Sequence, residues 1–352
     1  MKFFKPAAAV AGLTLAMVGG GIALSLPEAS ASPNPAIASV STATGVAVLT
    51  FTAGTGTVNT VEATPGSNGA FTVTDTTGVI QLNNLSAGCT LPSAHTLSCT
   101  AAVKALKVTL SDGNDYFNNK TGLPATVGGG DGDDNLLGGT GVDTFNGGPG
   151  KDVLHGGFGN DVLEGGPGAD TVYGQAGDDK LTSLEGGSDA LWGSSGKDVL
   201  TGGSTMHGDD GDDILFPHLF TEVWGGTEFD IIDFSGWSEI VHVSLDGNQN
   251  DGNADADPTA GCGGPLGGCI PDPMNVHGDV EKIIGTAFDD IIIGNDNNNF
   301  IDAGAGKDAI DGRGGDDYLD VEGGSNQRVH GGSGSNDTCV GFGITVRDGC
   351  EH

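Results

Sequence analysis

The chain has 352 residues with 13 Lys and Arg against 47 Asp and Glu, a formal net charge of −34, so a face basic enough to neutralise nucleic-acid phosphates or anionic lipid is excluded. Its 65 glycines argue against a helical protein, because each interior Gly costs a helix about 1 kcal/mol relative to Ala, and they do not recur every third residue as collagen requires. A 36% hydrophobic fraction then supports a fold only if those residues are periodically placed.

Residues 1–31 read as a secretory signal peptide. Lys2 and Lys5 form a positive start, residues 7–26 are mostly apolar, and Ala29-Ser30-Ala31 supplies a small-residue cleavage site. A retained membrane anchor is the alternative, disfavoured by Gly19, Gly20 and Gly21 inside the apolar run. No later segment has the roughly 20 apolar residues that a spanning helix needs. The six cysteines all follow the signal as three close pairs, Cys89 with Cys99, Cys262 with Cys269 and Cys339 with Cys350. Sequence cannot choose among the possible connectivities; local pairing in an oxidising compartment is the expectation, and the absence of any C-x-x-C argues against zinc.

Residues 32–110 form a small β domain or an N-terminal cap. Residues 45–52, 71–74 and 103–110 alternate apolar with polar or small side chains, the period of half-buried strands. At Ser111 the texture changes. Asp112-Gly113-Asn114-Asp115-Tyr116-Phe117 is a first imperfect copy of a nine-residue unit, which then runs without slippage: GGDGDDNLL from Gly129, GGTGVDTFN from Gly138, GGPGKDVLH from Gly147, GGFGNDVLE from Gly156, GGPGADTVY from Gly165 and GQAGDDKLT from Gly174. Position four is always Gly (132, 141, 150, 159, 168, 177), and position six is always Asp (Asp134, Asp143, Asp152, Asp161, Asp170, Asp179). Position eight is always apolar (Leu136, Phe145, Leu154, Leu163, Val172, Leu181). Beyond Thr182 the period degrades through units carrying Asp198, Asp213 and Asp230, completing a main block over 111–233. An irregular acidic insertion, 234–284, interrupts it. A second block over 285–320 carries Asp290, Asn299, Asp308 and Asp317, and 321–352 forms a C-terminal cap with the last cysteine pair.

A nine-residue unit cannot bury an apolar face alone, so units must stack. Its last three residues suit a short strand with one inward side chain, and its first six must turn the chain. Two units make one coil, so units n and n+2 stack at strand spacing and align the position-six aspartates in two columns. Carboxylates about 4.8 Å apart repel by about 0.8 kcal/mol even in water. A divalent cation between coils reverses that interaction. Carboxylate and carbonyl oxygens suit Ca2+ better than Mg2+, and the lack of thiolates or clustered His argues against transition metals.

These units resemble the G-G-x-G-x-D-x-U-x repeats of the RTX (hemolysin-type) calcium-binding family over about residues 111–320, the insertion apart. The resemblance implies an all-β, right-handed parallel β-roll whose folding is coupled to several bound Ca2+ ions. It implies that the position-six aspartates ligate calcium, helped by backbone carbonyls of the glycine turn at Gly132, Gly141, Gly150, Gly159, Gly168 and Gly177. The carry-over extends to Asp198, Asp213, Asp308 and Asp317; Asp290 departs, with Phe288 in the place of Gly, and the unit from Gly294 fails, with Asn297 and Asn299 replacing Gly and Asp. The N-terminal export signal and the lack of an attached enzyme domain make the chain most similar to small secreted calcium-binding repeat proteins of Gram-positive bacteria. That implies a non-catalytic structural or adhesive role, with an extracellular glycan or cell-surface component as partner. The alternative is a polysaccharide lyase or epimerase working on the side of a parallel β-solenoid.

Smaller features remain. Residues 246–257, with Asp246, Asn248, Asn250, Gly252, Asp255 and Asp257, have EF-hand-like oxygen spacing with Gly one place late and no terminal Glu; a solvated acidic loop is favoured. Trp192, Trp224 and Trp237 are expected to pack between coils or against the insertion rather than to form a sugar platform. There is no H-E-x-x-H and no G-x-S-x-G.

Overall fold

The computed structural model describes residues 35–41, 47–84, 88–100, 102–183, 187–218, 221–245, 274–321 and 327–351. The proposed signal peptide, the Cys262/Cys269 pair and the EF-hand-like loop lie outside them.

The protein is an all-β parallel solenoid. The nine-residue unit dictates this locally: three residues such as Asn135–Leu137 or Val162–Glu164 form a strand, and the glycine turn carries the chain to the opposite sheet. Each strand pairs in parallel with the strand two units later. Asn135–Leu137 pairs with Val153–Phe158, which pairs with Thr171–Ala176, while Thr144–Asn146 pairs with Val162–Glu164. The register aligns Leu136, Leu154 and Val172 in one sheet and Phe145, Leu163 and Leu181 in the other. All six are 0–1% exposed, so the core between the sheets is a double file of position-eight side chains. Irregular unit lengths are absorbed in the turns. The step along the stack is 18 residues at Asp161, 19 at Asp179 and 15 at Asp198, yet Leu181, Leu200 and Leu215 stay in register.

The N-terminal residues are not a separate layer. Antiparallel hairpins join Ala36–Ser41 to Ala47–Thr52, Thr60–Pro65 to Phe71–Asp75, and Cys89–Ser93 to Thr96–Cys99. Ala47–Thr52 then pairs in parallel with Val103–Asp112, and Thr60–Pro65 with Tyr116–Asn119, so both sheets run unbroken from the hairpins into the roll. The described residues of the insertion include regular strands. His242–Ser244 opens a third sheet by pairing with Ile291–Ile293, and Asn275–Val276 with Lys282–Ile284 make a full coil stacked on Glu222–Thr227 and Ile231–Asp233. That coil keeps Val276 and Ile283 in the core but turns through His277-Gly278-Asp279-Val280-Glu281, without the glycine pattern that marks the others.

Disulfides join Cys89 to Cys99 and Cys339 to Cys350, the two local pairings expected within the described residues. On the outer face of one sheet, the position-nine rings form a continuous ladder. His155 stacks on Tyr173, Tyr173 meets Trp192 edge-on, Trp192 meets His207 edge-on, and Trp224 is sandwiched between His207 and His277 at 4.2 Å on each side. Trp237 instead packs edge-on against Phe234 and donates its indole N–H to the Pro217 carbonyl.

Candidate metal centre

The position-six side chain of each coil reaches back along the stack. The backbone N–H of Asp134 donates to Asp152 Oδ1 at 2.7 Å, and that of Asp152 to Asp170 Oδ1 at 2.8 Å. On the other side Asp143, Asp161, Asp179, Asp198 and Asp213 donate in turn to Asp161, Asp179, Asp198, Asp213 and Asp230. Each aspartate is thereby drawn into the turn and buried, with relative exposures of 0–2% from Asp134 to Asp179.

One oxygen of each carboxylate is thus satisfied, and the other is not. Oδ2 of Asp134, Asp152, Asp161, Asp170, Asp179, Asp198, Asp213, Asp308 and Asp317 is buried without a hydrogen-bond partner. Except at Asp308, whose unit begins with Ala303, it lies against the position-one glycine of its own unit: a Cβ on Gly129 would sit 2.2 Å from Asp134 Oδ2 and 2.5 Å from the Gly147 carbonyl oxygen. A side chain at position one would therefore fill a cradle lined by a carboxylate oxygen and a carbonyl oxygen of the next coil. The carbonyls at position four also run along the stack. A Cβ on Gly150 would lie 1.8 Å from Gly132 O, and one on Gly177 would lie 1.6 Å from Gly159 O.

Burial of so many carboxylates raises their proton affinity. Loss of hydration pushes Asp134, Asp179, Asp213 and Asp308 from 3.8 up to about 6. It pushes Asp152, Asp198 and Asp317 to about 7, with neighbouring aspartates adding to the effect and backbone N–H donors opposing it. Asp161 and Asp170 shift upward for the same first cause. An unpaired buried carboxylate oxygen is costly. A hard cation bonded to it removes that cost, and the donor set of carboxylate and carbonyl oxygen is the one Ca2+ prefers. Among the described residues, no three His, Cys, Asp or Glu side chains converge to hold a metal alone. The further oxygens that the turns themselves place nearby are backbone carbonyls, such as those of Gly147 and Gly132.

All ten aspartates named from the sequence fall in these columns, and nine carry the unpartnered oxygen. The tenth, Asp143, is different: its Oδ1 accepts the Ala125 N–H at 2.6 Å and its Oδ2 accepts the Gly139 N–H at 2.8 Å. Asp290 and Asn299 also stand in the stack, with one oxygen taken by the N–H of Thr286 and Asn295 respectively. Asp115, in the first imperfect copy, Asp230, in a late unit, and Asp337, in the C-terminal cap, are not among the ligands expected from the sequence, yet their Oδ2 atoms are buried and unpartnered like the rest. The turn before Asp115 begins with Leu110 and Ser111 where Gly was sought, and that before Asp337 holds one residue too many. Two glutamates substitute for aspartate: Glu281 accepts the Asp230 N–H and Glu351 accepts the Asp337 N–H. In the column of Asp115, Asp134, Asp152 and Asp170 the acids end at Asp189; the next coils place Ser204 and Thr221 there.

A family model described as RTX calcium-binding nonapeptide repeat (4 copies) matches residues 128–163, 155–186 and 284–319. The chain carries the calcium-binding repeats of the RTX family. The parallel solenoid is the β-roll expected of such repeats, and RTX repeats imply calcium binding on it. The matches cover the regular turns around Asp134 to Asp179 and those around Asp290 to Asp317, and leave unmatched the turns of Asp115, Asp198, Asp213, Asp230 and Asp337. A search of curated proteins found no match.

Proposed function

We propose that this RTX roll is the calcium-ordered, non-catalytic scaffold of a secreted protein. The observation that supports the reading is the row of buried, unpartnered Oδ2 atoms, repeated coil after coil beside backbone carbonyls. Calcium would be held by Asp134, Asp152, Asp161, Asp170, Asp179, Asp198, Asp213, Asp308 and Asp317, with carbonyl oxygens of the glycine turns at Gly132, Gly150, Gly159, Gly168 and Gly177. The ion supplies the positive charge that turns repulsion between coils into attraction, so ligation and ordering become one equilibrium. Export through residues 1–31 would bring the chain to calcium-rich surroundings that also sustain its disulfides. There the ordered rod would present its outer sheets to a glycan or cell-surface component.

The test is a calcium titration of the mature protein followed by far-ultraviolet circular dichroism. A rise in β signal is expected, half complete at about 10⁻⁴–10⁻³ M as in other extracellular modules. A chelated protein with the same spectrum as the calcium-saturated one would overturn the coupling.

A further inference from the structure

Three turns inside the RTX matches are built differently from the rest. In the described turns with an unpartnered Oδ2, the position-two residue is left-handed, with φ from +66° at Arg313 to +123° at Gly226. That conformation turns its N–H away from the carboxylate: Gly130 N–H bonds the Gly147 carbonyl, and Gly148 N–H the Gly165 carbonyl. At Gly139, Thr286 and Asn295 the position-two backbone is not left-handed, and the N–H points inward instead. It bonds Asp143 Oδ2 at 2.8 Å, Asp290 Oδ2 at 2.7 Å and Asn299 Oδ1 at 2.9 Å. The oxygen left for a cation elsewhere is thus spoken for by the turn's own backbone. The Thr286 hydroxyl also bonds Asp290, at 2.9 and 3.0 Å to its two oxygens.

The three closed turns share a location. Each is the first glycine-led turn of its column after irregular chain: Asp143 follows Ala125, Asp290 follows Val241, and Asn299 follows Glu281. Resting on the reading of the roll as a calcium scaffold, we infer that Asp143, Asp290 and Asn299 are not calcium ligands but starter rungs, closed by backbone N–H groups, on which the metal-bound coils stack. Asn299 shows that such a rung tolerates a neutral amide, since its Oδ1 accepts the same inward N–H that the carboxylates accept. The open turns have no such substitute for charge, because among the described residues nothing bonds their second oxygen.

The experiment counts calcium ions per chain by equilibrium dialysis and elemental analysis, with circular dichroism as a check of folding. Asp143→Asn and Asp290→Asn are expected to bind as many ions as the wild type, whereas Asp161→Asn and Asp308→Asn bind at least one fewer. Asn299→Asp, which restores the consensus acid, is expected to gain none; this arm decides the matter should the other closed-turn variants fail to fold. Loss of an ion in Asp143→Asn or Asp290→Asn equal to that in Asp161→Asn, or a gained ion in Asn299→Asp, overturns this inference alone. A wild-type protein that binds no calcium removes the scaffold reading and this inference together.

Discussion

Gln175, Ser194 and Asp209 stand at position two with φ of 79°, 80° and 73°, a region in which a side chain costs about 1–2 kcal/mol. In these open turns the left-handed conformation is kept although the residue there is not glycine. Gln175→Gly should therefore raise stability in calcium by about 1 kcal/mol, read as an increase in melting temperature. A drop would mean that the glutamine makes a contact worth more than the strain. The buried aspartates make a second prediction, whose sign follows from their raised proton affinity. Folded values of about 6 to 7 lie above the 3.8 of an unhindered carboxyl, so protonation stabilises the cation-free roll. That stabilisation is complete below about pH 3.8 and disappears as pH rises through about 6 to 7. In excess chelator, β structure should be greater near about pH 4.5 than near about pH 8. Calcium and protons compete for the same oxygens, so with the metal present acidification should instead weaken its binding.

At the scale of the coil, stability rests on one side chain per unit. Leu154 is fully buried between Leu136 and Val172 in its file, and a narrow core has little freedom to collapse into a gap. Leu154→Ala should cost about 2–5 kcal/mol in urea unfolding with calcium saturating. Val162→Ala, at a strand position 43% exposed, should stay within about 0.5 kcal/mol of wild type. These units were legible in the sequence because three fixed columns, Gly, Asp and an apolar residue, each answer to a separate physical demand. What escaped was whatever met the same demand with other residues. Ser111 adopts the left-handed turn without being glycine, and Glu281 reaches with a longer arm into the place of aspartate. The coil at 275–284 keeps its inward Val276 and Ile283 while losing the glycine signature, so it read as part of an irregular insertion. The difference between open and closed turns was invisible for a related reason. Gly138-Gly139-Thr140-Gly141 satisfies the pattern fully, yet its backbone takes another conformation at the first rung of its column.

For the whole molecule, one continuous sheet of 15 strands joins the N-terminal hairpins, both blocks and the coil between them, while the opposite side is divided between a 12-stranded sheet that ends at Asn275–Val276 and a five-stranded sheet that begins at His242–Ser244. Order is therefore passed along the stack from neighbour to neighbour, as in other solenoids. The ring ladder from His155 to His277 follows from that continuity, since it crosses from the main block to the coil at 275–284 and exists only while five successive pairs of coils hold register. Two of the three tryptophans, Trp192 and Trp224, are locked within it. The protein thus contains a built-in optical gauge: ultraviolet absorption asymmetry and indole emission report whether the rungs are aligned, independently of backbone signals. Removing Trp237 should leave that gauge nearly intact, while replacing Trp224 with Leu should erase most of its response to calcium.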